Sequence, residues 1–235
     1  MTLKDVMSAL QAKGDPTIKR IFFRHGAKEP FFGVRVGDMK PIAKAIKGRQ
    51  DLALALYATG NGDAQYLAGM VADGARMSRQ ELIAWARTAS WRMVSGTTVP
   101  WVASEHPQGF ALALRWIDAK AEGVAVAGWA TLGAWVATHP DDDLDIKTLT
   151  ALLARVEKTI HDERNLVREQ MNSFVIAVGT YVGPLAARAL ATARKVGKVE
   201  VDVGDTDCRI PDAATYILKC RRGAPVAPKR KTVRC

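Results

Sequence analysis

The residues able to do chemistry in this chain are mostly cations, and three of them are regularly spaced. Lys40, Lys44 and Lys47 stand at i, i+4 and i+7, which puts their ammonium groups on one face of a helix. Residues 1–49 hold eleven Lys/Arg against four Asp/Glu, a net of +7. Residues 219–235 hold seven Lys/Arg and no acid, again +7, while the stretch between them is net −4. Lys and Arg that neutralise phosphates release condensed counterions, so this balance points to a polyanionic partner. The bland reading of any one such lysine is a solvated helix face. Lys229, Arg230 and Lys231 belong to a Pro- and Lys/Arg-rich segment, expected to form a disordered basic tail over 221–235 that contacts phosphates and not base edges.

A second constellation surrounds a helix break. All six tryptophans fall between Trp85 and Trp135, and Trp91 and Trp101 flank Arg92 and Gly96-Thr97-Thr98. Helical arrays bury most large aromatics, but rings lining a groove can also stack on bases. A helix interrupted by Gly-Thr-Thr and Pro100 is expected to expose backbone N–H groups and hydroxyls to phosphates. Trp91, Arg92, Thr97, Thr98 and Trp101 are therefore candidate nucleic-acid contacts. Metal chemistry is not signalled. Asp202, Asp205, Asp207 and Cys208 lack zinc spacing and a calcium-loop glutamate, and His25, His106, His139 and His161 are scattered. No phosphate-binding glycine loop, GxSxG elbow or Cys–His signature is present, and no cofactor is expected.

These residues need a scaffold, and its signals are helical. Asp15-Pro16 is an N-cap followed by an N1 proline. Asp38 is expected to cap a helix with Met39, Ile42 and Ile46 on its apolar face, and Ser78-Arg79-Gln80-Glu81 reads as a capping box. Further helices are expected near 50–59, 62–76, 89–104, 107–119, 122–138, 145–160, 163–181, 183–196 and 212–220, separated by Gly- or Pro-containing breaks. Gly123, Gly128 and Gly133 inside one helix point to close helix–helix approach or to room for a ligand backbone. Only Lys198 to Asp202 alternates with a strand-like period of two, so at most a small β-hairpin is expected near 198–209. Paired helices at intervals of roughly 30–40 residues define an all-α fold, a HEAT-like repeat α-solenoid of antiparallel helix pairs, as one domain over 1–220. The three late cysteines argue for a reducing compartment. No leader-like h-region or membrane span is apparent, so the chain reads as cytoplasmic with no membrane partner.

Two segments resemble a known family: Phe31-Phe32-Gly33-Val34-Arg35-Val36-Gly37-Asp38-Met39-Lys40-Pro41-Ile42-Ala43-Lys44, and Ser90-Trp91-Arg92-Met93-Val94-Ser95-Gly96-Thr97-Thr98-Val99-Pro100. In order and spacing they are similar to the DNA alkylation repair family, whose founding type is the AlkD-like alkylpurine DNA glycosylase, over residues 1–195. The resemblance implies stacked HEAT-like helices with a concave basic surface for double-stranded DNA, alkylated duplexes included, and it places Arg35 among the DNA-contacting cations. It also implies glycosylase chemistry, in which a carboxylate stabilises the sugar cation with two tryptophans and an arginine nearby. Laid on without gaps, however, the family's Asp falls on Gly96, its first Trp on Arg92, its Arg on Gly128 and its second Trp on Ser173. No acid lies between Glu81 and Glu105, so Glu105 is the one carboxylate nearby that could be re-sited for catalysis. The expectation is a DNA-binding HEAT-like protein without efficient base excision. An active alkylpurine glycosylase using Glu105, and a HEAT-type protein-interaction scaffold, stay open as alternatives.

Overall fold

The computed structural model describes residues 1–234, and Cys235 lies outside them. Among the described residues the chain forms thirteen α-helices joined by short 3-10 and π turns, with no β-strand. It divides into two compact units: residues 1–108 with 203–207, and residues 109–202 with 208–234. Each unit carries its own apolar core, as a helical layer must bury its apolar stripe against another.

In the first unit the helices are α1 (Leu3–Ala12), α2 (Pro16–Arg24), α3 (Val36–Ala45), α4 (Gln50–Ala58), α5 (Gly62–Val71), α6 (Arg79–Thr88) and α7 (Val99–Ala103). Local chemistry sets their starts. The carboxylate of Asp15 accepts from Thr17 N and Ile18 N at the head of α2, with Pro16 at N1. Ser78 and Glu81 close a reciprocal capping box on α6. The start of α3 differs from expectation: Arg35 holds the N-cap position without a side-chain cap, and Asp38 sits in the first turn. The helix expected over 62–76 stops at Val71 and resumes as a 3-10 turn, Gly74–Arg76. Val6, Leu10, Leu56, Leu67 and Leu82 are fully buried at the centre of this unit.

In the second unit α8 (Gly109–Trp116), α9 (Glu122–Thr138), α10 (Ile146–Thr159), α11 (Asn165–Tyr181), α12 (Ala186–Val196) and α13 (Ala213–Arg221) pack around Trp129, Leu132, Leu153, Met171 and Phe174. The long helices α9 and α11 lie against each other. Gly128 explains how α8 comes close to α9: a Cβ there would sit 2.7 Å from Ile117 N and 3.0 Å from Ala113 O. No comparable approach is found at Gly133, whose nearest neighbour is Ala177 Cβ at 3.7 Å. Residues 198–202 form no strand. They run extended and are pinned to α11, where Asn165 exchanges two hydrogen bonds with the backbone of Asp202, at 2.7 Å each. Val199 is buried beneath them. The alternation of this segment reflects one apolar edge against helices and no strand partner.

The C-terminal segment is laid along the second unit. Ala227 N donates to Thr180 O and Arg230 N to Ala137 O, each at 2.8 Å. The ammonium of Lys229 donates to Val136 O and pairs with the carboxylate of Asp141, again at 2.8 Å. Residues 224–234 therefore follow α9 and α11, where the composition led to the expectation of a disordered tail. Last-turn carbonyls of α9 and α11, which have no partner within their own helices, supply the acceptors that hold them.

Candidate nucleic-acid interface

The basic face of α3 follows from its apolar one. Met39 and Ile42, with Ile46 just beyond the helix, are buried, which turns Lys40 and Lys44 outward, and Lys47 joins them from the turn after Ala45. All three are exposed, and none forms an ion pair or side-chain hydrogen bond among the described residues. Arg35 at the head of α3 is exposed too, but its guanidinium meets the Asp15 carboxylate at 3.0 Å, which ties the start of α3 to that of α2. The Asp15 carboxyl is held below its usual range, first by the Thr17 backbone N–H and less by Arg35.

Behind this face, Asp63 builds the turn that precedes α3. It is a buried carboxylate of α5 that accepts from Phe32 N (2.6 Å), Gly33 N (3.0 Å) and Val34 N (2.9 Å). Burial pushes its carboxyl up, and these backbone donors oppose the shift. Nothing in its local sequence marks Asp63 as more than a first-turn helix acid. Its role depends on partners thirty residues away.

The Trp91–Trp101 constellation is organised differently from expectation. Residues 94–98 are not a break but a π-helical turn that runs directly into α7, and the N–H of Val99 donates to Val94 O. A π turn absorbs the extra residue while keeping its backbone hydrogen-bonded, so the N–H groups expected to face phosphates are used internally. Thr98 is fully buried, its methyl pressed against Gly69, and its hydroxyl finds no partner. Thr97 is half-buried. Trp101 is buried edge-on to Tyr66 at 5.2 Å. Trp91 is buried among Phe22 and Phe31, with ring centroids 5.5 and 5.6 Å away. Neither tryptophan offers a face to a base, because the apolar residues of α5 and of the turn before α3 enclose both. The indole N–H of Trp91 has no acceptor and borders a small apolar cavity lined by Phe22, Phe31, Met39, Tyr66 and Met93. Arg92, half-buried, lies on the outer side of the same segment.

Glu105 sits at the end of α7, exposed, with its carboxylate accepting from Gly74 N at 3.0 Å. It caps the 3-10 turn at Gly74–Arg76. Gly74 is needed there, since a Cβ would stand 2.1 Å from Val102 O. The gapless match to the family lays its glycosylase residues on Arg92, Gly96, Gly128 and Ser173. Gly96 is in the π turn, Gly128 is closed by α8, and Ser173 is an exposed hydroxyl on α11.

In the second unit Lys229 is consumed by Val136 O and Asp141, whereas Arg230 and Lys231 are exposed. Among the described residues no three His, Cys, Asp or Glu side chains gather as a metal-ligand set. Among the described residues no single helix is long and apolar enough to cross a membrane.

The fold corresponds to a recognised class. Residues 6–201 match the family model described as DNA alkylation repair enzyme. The chain belongs to the DNA alkylation repair family, and its fold is the HEAT-like repeat. It is 36% identical to a solved structure over 100% of both chains, with a TM-score of 0.90. That structure represents a new family of proteins related to the HEAT-like repeat DNA glycosylases with affinity for branched DNA structures. Uncharacterized proteins of Listeria innocua serovar 6a and Listeria monocytogenes serovar 1/2a are each 28% identical over 227 residues, covering 94% of this chain and 98% of theirs.

Proposed function

We propose that this protein binds double-stranded DNA, branched duplexes included, through the basic face of α3, without efficient base excision. The observation that carries the reading is the set of three exposed, unpaired lysines at Lys40, Lys44 and Lys47, in a chain of the DNA alkylation repair family. Phosphate neutralisation by such cations gives affinity that falls linearly in log–log form with salt. The affinity of the 36%-identical protein's family for branched DNA supports extending the ligand to junctions. Titrating labelled linear and four-way-junction DNA against salt tests it: absence of salt-dependent binding to both would refute the reading.

The chemistry half of the proposal rests on the residues at the mapped positions. A glycosylase of this kind needs a fixed negative charge beside the developing sugar cation, and losing one well-placed electrostatic group costs about 10²–10³ in rate. Gly96, Arg92, Gly128 and Ser173 supply none. N7-methylguanine release should therefore be far slower than in a typical glycosylase of the family.

A second reading is favoured by the family description itself, that of a repair enzyme, with Glu105 as the re-sited carboxylate. In that case Glu105→Gln abolishes base release. Glu105 accepts from Gly74 N, and the first reading expects Glu105→Gln to leave base release unchanged.

A further inference from the structure

The helix α2 is the least anchored of the chain's α-helices. Among the described residues it is the only one with no buried side chain. Its inner side rests on Phe22, whose ring lies 5.7 Å from Phe31 and 5.5 Å from Trp91. Its outer arc carries Arg20 and Arg24 one turn apart, flanked on one side by Phe23 and on the other by Ile21, which are 38% and 41% exposed. Phe23 and Ile21 thus present apolar surface on either side of the two cations.

The arginines of this arc are available. Arg20 makes no ion pair among the described residues, and Arg24 meets Asp205 only at 3.8 Å, with both side chains mostly in water. By contrast α13, which also exposes Tyr216 and Leu218, spends Arg221 on Gly179 O and Ala186 O. Residues 13–28 hold five Lys/Arg and one acid, and that acid, Asp15, caps α2. The charge of the α2 surface thus fits a polyanion, while its apolar flanks fit something a regular duplex does not offer. Paired bases hide their faces in the stack. A branch point exposes them, and aromatic or aliphatic side chains can cover them.

We infer that α2 is the element that meets unstacked bases at a DNA branch point, with Arg20 and Arg24 on the phosphates and Phe23 and Ile21 against base or sugar faces. The inference rests on the DNA-binding reading above and names the part of the surface that would distinguish branched from linear DNA.

The full chain is titrated with a labelled four-way junction carrying 2-aminopurine at the branch point, and with a linear duplex of one continuous arm. Wild-type binding to the linear duplex tests the DNA-binding reading by itself. For the inference, Phe23→Ala is expected to weaken junction binding about tenfold, since stacking contacts of this kind carry roughly five- to hundredfold in affinity. Linear-duplex binding should change less than twofold, and the change in 2-aminopurine emission seen with wild type should be lost. Arg20→Gln with Arg24→Gln should weaken both probes and reduce the salt slope by about two. Because Phe23 also contacts Phe31 and Lys19, Ile21→Ser on the opposite flank is measured as a second variant with the same expected pattern. An unchanged junction-to-duplex ratio in both variants, or wild-type protein that leaves 2-aminopurine emission unmoved, overturns the inference while leaving linear DNA binding intact.

Discussion

The two basic ends of this chain carry equal formal charge, but three lysines at one end stand clear of partners while two cations at the other are tied down. At the N-terminal end α3, whose other face is buried, displays Lys40 and Lys44, with Lys47 in the turn after it, and none of the three has an acidic partner among the described residues. At the C-terminal end Lys229 is consumed by a helix-end carbonyl and Asp141, Arg221 by two more carbonyls, and the segment between is fastened by backbone hydrogen bonds. Net charge therefore overstates the cations available to a phosphate backbone. What matters is how much each cation must give up to leave its present partners, because a desolvated, hydrogen-bonded cation gains little by exchanging one set of acceptors for another.

The largest effect expected from this contrast is at α3. Replacing Lys40, Lys44 and Lys47 together by Ala should lower the slope of log affinity against log salt by two to three, and lower affinity by about 10²–10³ near 0.1 M salt. Anisotropy titrations at several salt concentrations measure both. An unchanged slope would mean that the face is only solvated and would erase the contrast. Deleting 223–235 should cost less, about tenfold and without sequence preference, because Arg230 and Lys231 are exposed while Lys229 is not free. A loss as large as that of the triple variant would show that the fastened segment releases on binding.

A third test concerns cations spent on stability. Glu157 has its side chain only 7% exposed and is bound by Arg188, Lys195 and Thr192. Burial opposes its ionisation, but the hydrogen bonds from Lys195, Thr192 and Arg188 outweigh this and hold its pKa at about 2, against an ordinary 4.5. A carboxyl depressed in the folded state contributes stability that is full above its unfolded pKa and is lost as pH falls through the folded one. Unfolding followed from pH 6 down to 2 should show this loss between about 4.5 and 2, and Glu157→Gln should flatten it. At neutral pH the same substitution should cost about 1–2 kcal/mol, the low end for a broken pair, since Arg188 and Lys195 are exposed enough to be hydrated.

How far these features could be read from sequence depended on the range of the interactions that create them. Asp15-Pro16, the Ser78–Glu81 capping box and the apolar periodicity of α3, α9 and α11 are local, and the helices lie where they indicate. Whether a cation is free is a long-range property: Lys229 meets Val136, ninety-three residues away in sequence, and nothing near either residue signals the contact. Asp63 was overlooked for the same reason. The Gly96-Thr97-Thr98 stretch misled in another way. Its composition is that of a helix break, but α5 packs against it and supplies enough burial to hold a π turn in place of an exposed loop.

That stretch provides the finest test, at Trp91. If Trp91 met DNA, Trp91→Phe would reduce a stacking surface and lower affinity severalfold. In this structure the indole is enclosed by Phe22 and Phe31, and its N–H is buried without an acceptor. An unsatisfied buried donor costs roughly 1–3 kcal/mol, and Phe removes that donor while giving up some apolar contact. The two terms oppose each other and are of similar size, so unfolding stability should change by no more than about 0.5–1 kcal/mol. DNA affinity and salt slope should be unaltered. Paired with the triple lysine variant, this comparison separates residues that face the partner from residues that only hold the scaffold. A fall in affinity without a change in stability would move Trp91 from the second group to the first.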